Sequence, residues 1–233
     1  MTARIQQNSA MTVIAANIRT LRSEIPSHVK IVAISKNRST EEIMEAYMTG
    51  QRIFGENRVQ EMVAKYHTLP GDIEWHMVGH LQTNKVKYIA PFISLIHSVD
   101  SLRLLQAIHT EGSRINRVIP CLLQVYIASE ETKFGFDRDE LLQVLASPVF
   151  HTLSNVAVTG VMGMASFTTD MKTVAKEFRY LASVFRELKN TYFPQPEFRE
   201  ISMGMSGDYK TAISEGATMV RIGNLIFGSG CQV

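Results

Sequence analysis

The sequence has few cysteines and no long run of apolar residues. Its 233 residues contain two cysteines, Cys121 and Cys231, and no C-x-x-C motif. The two thiols could in principle form one bridge, but a secreted disulfide framework needs a denser pattern. No stretch approaches the roughly 20 apolar residues that a helix needs to span a bilayer. We therefore expect a cytoplasmic protein in a reducing compartment, with no membrane segment.

The sequence also lacks a strong charge of either sign and any linker-like stretch. Its 24 Lys and Arg residues and 22 Asp and Glu residues leave a formal net charge of +2. Nucleic-acid binders and polybasic membrane surfaces need a larger positive excess, so neither partner is expected. No segment rich in Pro, Gly and Ser divides the chain. We predict one domain over residues 1–233, a length that single barrels of strands and helices commonly reach.

An amphipathic helix is predicted near the N-terminus. Apolar residues recur there at alternating spacings of three and four, which places them on one helix face: Met11, Ile14, Ile18, Leu21 and Ile25. Pro26 ends the pattern. The apolar stretch 10–16 is short and leads directly into polar Asn17 and Arg19, which fits this helix better than a signal peptide.

Short apolar segments alternate with helical patterns along the rest of the chain. The predicted strands are 29–34, 52–54, 74–78, 93–97, 119–126, 156–161, 200–202 and 219–222. Helices are predicted to begin at Ser39, which forms a capping-box pattern with Glu42, and at Asp137, Asp170 and Asp208. Such alternation predicts an α/β protein with a parallel sheet, and about eight units close a TIM barrel. An open doubly wound sheet has the same local pattern, so periodicity leaves both architectures open.

Glycine-containing loops follow the last two predicted strands. Residues 202–206 belong to the first of these loops, and Gly223–Asn224 belongs to the second. In a barrel, all loops of this kind meet at the mouth that holds active sites, and phosphate sites commonly use the loops after strands seven and eight. Glycine lets backbone N–H groups approach an anion closely. We therefore expect an anion site at these two loops.

Two basic side chains stand out because they follow or interrupt apolar strands. Lys36 comes directly after strand 29–34, so its amine is expected near the barrel mouth, where it could attack an aldehyde. From position alone, an ordinary lysine that points into solvent or pairs with a carboxylate is the favoured interpretation. Arg221 lies inside strand 219–222, where an unpaired guanidinium is costly. Its partner is therefore either a structural carboxylate or a ring nitrogen or phosphate of a ligand.

The histidines and Asn57 give weaker signals. His76 and His80 are four residues apart, but their segment reads as a strand followed by a loop, so they do not share a helix face as a metal pair would. No metal site is predicted. Asn57 follows the second predicted strand and fits either a helix N-cap or a ligand contact.

A series of motifs, in consistent order from the N-terminal helix to Gly228, resembles one known family. The motifs are A-I-S-K at 33–36, F-G-E-N-R-V-Q-E at 54–61, W-H-M-V-G-H-L-Q-T-N-K at 75–85, K-F-G at 133–135, G-V-M-G-M at 160–164, S-M-G-M-S-G-D at 202–208, V-R-I-G at 220–223 and I-F-G at 226–228. They resemble the pyridoxal phosphate (PLP) homeostasis proteins, whose fold is similar to the N-terminal barrel of alanine racemase. The resemblance implies a single (β/α)8 TIM barrel with an additional N-terminal helix.

The resemblance also implies a cofactor and the residues that bind it. Lys36 would bind PLP as a Schiff base, and Arg221 would face the pyridine nitrogen. Ser206 and the backbone at Gly223–Asn224 would hold the phosphate. Further contacts would come from two residues in matching motifs, Ser202 and Asn57. Asn224 stands where Thr or Ser is commoner, and a backbone contact to the phosphate would survive that change.

A PLP-dependent amino-acid racemase is the rival interpretation. An arginine beside the ring nitrogen disfavours protonation of the ring and weakens the electron sink, although racemases tolerate this arrangement. Racemases also need acid–base groups on both faces of the substrate carbanion, and in similar racemases one group comes from an additional domain and a partner subunit. The sequence stops at Val233, just after the last barrel motif. We therefore predict a carrier or buffer in PLP homeostasis rather than an enzyme.

Three further expectations concern the recipients of the cofactor, the oligomeric state and a second aldehyde site. PLP-dependent apoenzymes are the candidate recipients of the cofactor. A monomer is expected, because no dimerising domain is present in the sequence. Lys85 and Lys133, which lie in matching motifs outside the phosphate loops, are candidates for a second, transient aldehyde site.

Overall fold

Eight strands and nine α-helices alternate through the part of the chain that the computed structural model describes, residues 12–128 and 134–228. The strands are β1 (Lys30–Ile34), β2 (Ile53–Glu56), β3 (Glu74–Met77), β4 (Leu95–Val99), β5 (Ile119–Gln124), β6 (Val156–Met162), β7 (Glu200–Met205) and β8 (Met219–Ile222). The helices are α1 (Val13–Glu24), α2 (Thr40–Met48), α3 (Val59–Tyr66), α4 (Val86–Ile89), α5 (Leu102–Arg114), α6 (Arg138–Ala146), α7 (Met171–Thr191), α8 (Tyr209–Ser214) and α9 (Asn224–Phe227). Two 3₁₀ turns, Thr83–Lys85 and Phe150–Thr152, precede α4 and β6.

The strands form a closed parallel barrel in chain order. Each strand pairs with the next, and β8 pairs back with β1 between Lys30 and Met219 and between Ala33 and Ile222. All eight predicted strands are present, although several ends are shifted. The closure confirms the TIM barrel and excludes the open doubly wound sheet, which has two free edges.

Helix α1 is the additional element that precedes the first strand. Its buried face consists of Ile14, Ile18 and Leu21, as the three-and-four spacing predicts, and it packs against α2 and α9. Asn17 donates a hydrogen bond of 3.0 Å from Nδ2 to the carbonyl oxygen of Ile226. The helix therefore ties the start of the described chain to its end. Met11, the first member of the predicted stripe, lies outside the described residues.

Side-chain caps begin three of the helices at the predicted positions. Ser39 and Glu42 form the reciprocal capping box at the start of α2. Asp137 accepts a hydrogen bond from the backbone N–H of Glu140, and Asp170 does the same for Lys172. Asp208 differs, because its side chain accepts from the backbone N–H of Met205 instead of capping α8.

The barrel interior combines a small apolar cluster with buried polar side chains. The apolar cluster is formed by Val32, Leu95, Leu122, Met162 and Met219, separate from the larger core between the strands and the outer helices. His76, His97, Ser202 and Arg221 are buried polar residues on strands of the same barrel. None of the described helices is long and apolar enough to cross a membrane.

Candidate functional site

A cavity of about 190 Å³ opens at the carboxyl ends of the strands. Three of the predicted site residues, Lys36, Asn57 and Arg221, line it. The remaining lining residues are Ile34, Val78, Gly79, His80, Gln124, Phe134, Met164 and Met205. The cavity thus has two cationic groups, a largely apolar wall and a few polar groups, as is usual for small-molecule sites.

Lys36 lies one residue beyond Ser35 at the end of β1, on the rim of the cavity. Its side chain is exposed, and its amine makes no hydrogen bond or ion pair with any other described residue. Asn37, the next residue, has a φ of 58°, a left-handed conformation that Asn adopts more readily than most residues. The turn at Asn37 ends the strand and leaves Lys36 at the mouth. The sequence left open that Lys36 pairs with a carboxylate, and the structure excludes such a pair with any described residue.

Arg221 is nearly fully buried and has no carboxylate within ion-pair distance among the described residues. Its Nη1 donates to the Oγ of Ser202 over 2.7 Å, and its Nη2 donates to the carbonyl oxygen of Gly163 over 3.0 Å. A guanidinium has five N–H groups, so these two contacts leave donors for the cavity. Burial lowers the pKa of Arg221 to about 10, and the carboxyl group of Asp208 opposes this shift.

A chain of hydrogen bonds continues from Arg221 through the barrel interior. The Oγ of Ser202 lies 2.9 Å from Nδ1 of His97, and Nε2 of His97 lies 2.9 Å from Nδ1 of His76. Arg221 can only donate, so the Oγ of Ser202 accepts from it. If the Ser202 hydroxyl in turn donates to Nδ1 of His97, a neutral His97 carries its hydrogen on Nε2 and donates it to His76. In this arrangement every hydrogen bond in the chain points from the mouth towards the base of the barrel.

Burial keeps both histidines of this chain neutral. It lowers the pKa of His76 to about 3 and the pKa of His97 well below its usual value, with the charge of Arg221 adding to the effect on His97. Neutral imidazoles are what the directed chain requires, because each ring must accept on one nitrogen. Ser202 is fully buried and does not line the cavity. It orients Arg221 from below, and its predicted direct contact with a ligand stays a prediction.

The loops after β7 and β8 lie side by side, because Met205 pairs with Arg221 in the register of the two strands. The backbone N–H groups of Ser206, Gly207, Gly223 and Asn224 donate to no other described residue. At Gly207, the position of a Cβ atom has no heavy atom within 4 Å, so the loop is open to an incoming group. Free backbone donors on two adjacent loops are the arrangement that binds an anion.

Asn57 is at the cavity, and one of its two sequence interpretations is wrong. Helix α3 begins at Val59 and its N-cap is Arg58, so Asn57 does not cap it. A Cβ atom on Gly79 would lie 2.5 Å from the carbonyl oxygen of Asn57. The loops after β2 and β3 are therefore packed backbone to backbone, and glycine is needed at position 79. The remaining interpretation of Asn57, a ligand contact, stays a prediction.

Several cavity residues were not singled out from the sequence. Gln124 ends β5 and donates from Nε2 to the carbonyl oxygen of Phe134. Phe134 stacks on the ring of His80 at a centroid distance of 4.7 Å, and His80 lies 3.1 Å from the carboxylate of Asp100. Gln124 could have been found, because it is a polar residue at the end of an apolar strand. The position of Phe134 depends on the fold of a loop and gives no such signal.

The remaining candidates of the sequence lie away from the cavity. Among residues 12–128 and 134–228, no three His, Cys, Asp or Glu side chains are grouped as metal ligands. Cys121 is buried in β5, and burial raises the pKa of its thiol to about 12. Lys85 does not line the cavity, and its amine lies 5.7 Å from the ring centre of Tyr88. Lys133 and Cys231 lie outside the described residues.

Comparison with known proteins identifies the family. The family model of the alanine racemase N-terminal domain matches residues 11–230. Pyridoxal phosphate homeostasis proteins of Aquifex aeolicus and Vibrio alginolyticus are 40% and 33% identical to this chain over 200 and 234 residues. These matches cover 85% and 94% of this chain, and 86% and 98% of the two relatives. The chain belongs to the pyridoxal phosphate homeostasis protein family.

Solved structures contain the same barrel as this member of the pyridoxal phosphate homeostasis protein family. PipY of Synechococcus elongatus matches with a TM-score of 0.86 without PLP and 0.83 with PLP bound, at 37% and 36% identity. Both matches cover 92% of this chain and 100% of PipY. Alanine racemase of Bartonella henselae, with covalently bound pyridoxal phosphate, is 16% identical with a TM-score of 0.69, over 94% of this chain and 61% of the racemase. At that identity the likeness shows the fold alone, and it confirms the predicted racemase-like barrel.

Proposed function

We propose that the chain binds PLP as a Schiff base on Lys36 and acts as an intracellular carrier or buffer of PLP, without turnover. The proposal depends on one observation: Lys36 and Arg221 line one cavity beside two loops with free backbone donors. An amine, a ring-facing donor and an anion site match the aldehyde, the pyridine nitrogen and the phosphate of PLP. The names of the relatives and the structure of PipY with PLP bound support this assignment.

Lys36 provides the covalent attachment in this proposal. Its amine condenses with the aldehyde of PLP, a C=N bond forms and one water molecule leaves. No hydrogen bond or ion pair with a described residue has to break before the amine reacts, because the amine makes neither. The position of Lys36 at the exposed rim lets the aldehyde reach it directly from solution.

Arg221 and the two loops orient the cofactor. Arg221 is held by Ser202 and Gly163, so its remaining N–H groups have a fixed direction towards the cavity. The N–H groups of Ser206, Gly207, Gly223 and Asn224 would bind the phosphate, with the hydroxyl of Ser206 as a further donor. Asn57 lines the wall of the cavity and would contact the ring or its substituents.

The same contacts favour carriage over catalysis. When bound in an enzyme, PLP withdraws electrons from the substrate carbon, most strongly with a protonated ring nitrogen. Arg221 donates and cannot accept a proton, so it leaves the ring nitrogen unprotonated. Racemisation also needs a second acid–base group. Among the described residues that line the cavity, His80 with its partner Asp100 is the group to test in that role.

Substitution of Lys36 tests the attachment. We expect purified wild type to form the visible absorbance band of a Schiff base with PLP, and Lys36→Ala to lose it, because no other lysine among the described residues lines the cavity. Lys85→Ala is the matched control and keeps the band. Borohydride reduction followed by peptide mass mapping locates the adduct. Equal bands in wild type and Lys36→Ala would overturn the proposal.

Amino-acid assays test the absence of turnover. PLP-loaded protein is incubated with each L- and D-amino acid, and racemisation is followed by chiral chromatography. We expect no turnover above that of free PLP. Racemisation by wild type that disappears in both Lys36→Ala and His80→Asn would show that the protein is a racemase-like enzyme and not only a carrier.

Two further parts of the proposal concern the organisation of the chain. We propose that residues 1–233 fold as one domain and that the protein is a cytoplasmic monomer which passes PLP to PLP-dependent apoenzymes. Analytical ultracentrifugation with and without PLP measures the oligomeric state. Transfer of PLP is measured as the recovery of activity by an apoenzyme mixed with the loaded protein, compared with an equal concentration of free PLP.

A further inference from the structure

A buried charged cluster lies directly behind the mouth of the barrel. It consists of Lys65 and Glu61 on α3 and Glu56 on β2, and we call it the Lys65 cluster. The ammonium group of Lys65 donates to Oε1 of Glu56 over 2.8 Å and to Oε1 of Glu61 over 2.6 Å. The side chains of Lys65 and Glu56 are 8% and 0% exposed. A buried cluster of this kind is costly to assemble unless its contacts are well satisfied.

The Lys65 cluster holds the backbone on both sides of Lys36. Lys65 donates to the carbonyl oxygen of Ser35 over 2.7 Å, and the hydroxyl of Ser35 donates to Glu56 over 2.6 Å. On the other side, the backbone N–H of Asn37 donates to Oε1 of Glu61 over 2.6 Å. The residues before and after Lys36 are therefore attached to one buried ammonium group, directly or through a carboxylate.

The electrostatics make this attachment specific to lysine. The three N–H groups of the Lys65 ammonium are matched by three acceptors: the Ser35 carbonyl, Glu56 and Glu61. Burial raises the pKa of Glu56, and the contact with Lys65 opposes this shift. The second carboxyl oxygen of Glu56 is buried without a hydrogen-bond partner among the described residues. Without Lys65, Glu56 would be left with the Ser35 hydroxyl alone.

The turn at Asn37 shows why such a support is needed. A left-handed residue costs free energy and persists when its surroundings hold it in place. The bond from Asn37 N–H to Glu61 holds this turn, and Glu61 is in turn held by Lys65. The amine of Lys36 makes no hydrogen bond or ion pair with a described side chain, so its direction depends largely on its backbone.

We propose that Lys65 is a positioning residue: its ammonium group fixes Ser35 and Asn37 and thereby aims the Lys36 amine into the cavity. This inference rests on the proposed function, since it concerns the reaction of Lys36 with PLP. Lys65 does not line the cavity, so it would not touch a cofactor bound there. It acts through the backbone of its neighbours.

The test compares Lys65→Met with Lys30→Met, a matched control at the opposite end of β1. Lys30 pairs with the buried carboxylate of Glu200 over 2.6 Å, so its loss also removes an ammonium partner from a buried glutamate, which keeps its contacts with Thr218 and Arg199. We expect Lys65→Met to weaken PLP binding at least tenfold, on the order of one lost charged hydrogen bond. We also expect it to change the visible circular dichroism of the bound chromophore, which reports its orientation. Lys30→Met is expected to lower thermal stability and leave both PLP readouts as in wild type.

A second variant keeps the test decisive if Lys65→Met does not fold. Glu61→Ala removes the acceptor of the Asn37 N–H from a side chain that is 23% exposed, so the fold should tolerate it. We expect weaker PLP binding and the same change in circular dichroism, at smaller amplitude. Wild-type affinity and spectrum in a folded Lys65→Met, or in Glu61→Ala, would overturn the inference. Failure of the proposed function would be seen separately, as a Schiff base that survives in Lys36→Ala.

Discussion

Arg221 has its positive charge inside the barrel, where its described hydrogen-bond partners are neutral oxygens. The strand pattern around it indicated that a partner was needed but not which one. In the structure the hydrogen-bond partners of Arg221 are the hydroxyl of Ser202 and the carbonyl oxygen of Gly163, and neither group carries a negative charge. The carboxyl group of Asp208 opposes the effect of burial on the pKa of Arg221 without forming an ion pair with it. On the proposed function, an acceptor group of the cofactor would complete the environment of this guanidinium.

A residue-level prediction concerns the phosphate site. The unpaired donors at Asn224 and its neighbours are backbone N–H groups, so Asn224→Ala should change PLP affinity by less than about threefold. Pyridoxal, which lacks the phosphate, should bind at least about 100-fold more weakly, because several charge-assisted hydrogen bonds are lost. Titration of wild type and Asn224→Ala with both aldehydes measures the effect. Similar affinities for PLP and pyridoxal would show that the two loops do not bind the phosphate.

The sequence predicted some site residues and not others for physical reasons. Lys36 and Arg221 were singled out because a charged residue at the end of an apolar strand, or inside one, is unusual. The ligand role of Lys36 came from the family resemblance and not from its position. His97 could not be predicted, because a single histidine in an apolar strand does not indicate which residues it will contact in the fold. Lys65 could not either: on a helix surface lysine is ordinary, and its burial follows from the packing of α3 on β2.

At the scale of elements, β7 shows where a strand prediction ended too early. The prediction ended at Ser202, because Gly204 and Ser206 read as a loop, but the strand continues to Met205. Its pairing with β8 shifts register between Ser202 and Met205, and Gly204 has a φ of 90°. The glycine thus allows an irregular step within the strand. The spacing of apolar residues in the sequence does not reveal such an irregularity.

Gly204 is the basis of the element-level prediction. A Cβ atom there would lie 2.5 Å from the Cβ of Ala212 and 3.1 Å from the Cα of Tyr209, both on α8. Together with the positive φ, this should make Gly204→Ala lower the free energy of unfolding by about 1–3 kcal/mol. Urea denaturation measures the change. Gly71→Ala is the control, because its Cβ position has no atom within 4 Å, and we expect a change within about 0.5 kcal/mol. Equal effects of the two substitutions would contradict the prediction.

The fourth strand shows a different error. It was predicted at 93–97 and lies at Leu95–Val99, so it includes Ser98. Ser98 is fully buried and donates from its hydroxyl to the carbonyl oxygen of Gly79. A serine and a following Val-Asp pair resemble the start of a loop when the acceptor is unknown. Strand ends near polar residues therefore depend on partners from neighbouring strands.

At the scale of the whole molecule, the strand–helix alternation predicted the class but not the closure. An eight-unit alternation fits both a barrel and an open sheet, and the difference lies in the pairing of β8 with β1. These strands are the most distant in sequence, so no local pattern reports their contact. The family resemblance, rather than periodicity, led to the expectation of a barrel.

The buried histidine chain predicts how the stability of the whole molecule depends on pH. His76 has a pKa of about 3 in the folded chain, against 6.5 for an exposed histidine. Between these values the unfolded chain binds a proton that the folded chain does not, so stability falls as the pH falls below about 6.5. The contribution is fully present above that pH. The loss approaches about 1.4 kcal/mol per pH unit for each histidine, and His97 adds to it in the same direction.

Denaturant titrations between pH 7 and pH 5 measure this dependence. The raised pKa of Glu56 acts in the opposite direction, because the folded carboxyl group binds its proton first as the pH falls. The test is therefore the difference between wild type and His76→Gln rather than the wild-type slope alone. We expect the variant to lose less stability on acidification, by about 1 kcal/mol per pH unit. Parallel curves for the two proteins would show that His76 is not held neutral.

The cavity at the mouth is small, and the amine of Lys36 stands at its exposed rim. About 190 Å³ is below the usual range for a pocket that encloses a drug-sized ligand. On the proposed function, the C=N bond on Lys36 would remain within reach of other amines in solution. Another amine could then displace Lys36 and leave with the aldehyde, without any opening of the barrel. Release would accordingly have no single half-life; it would accelerate with the concentration of competing amines around the protein.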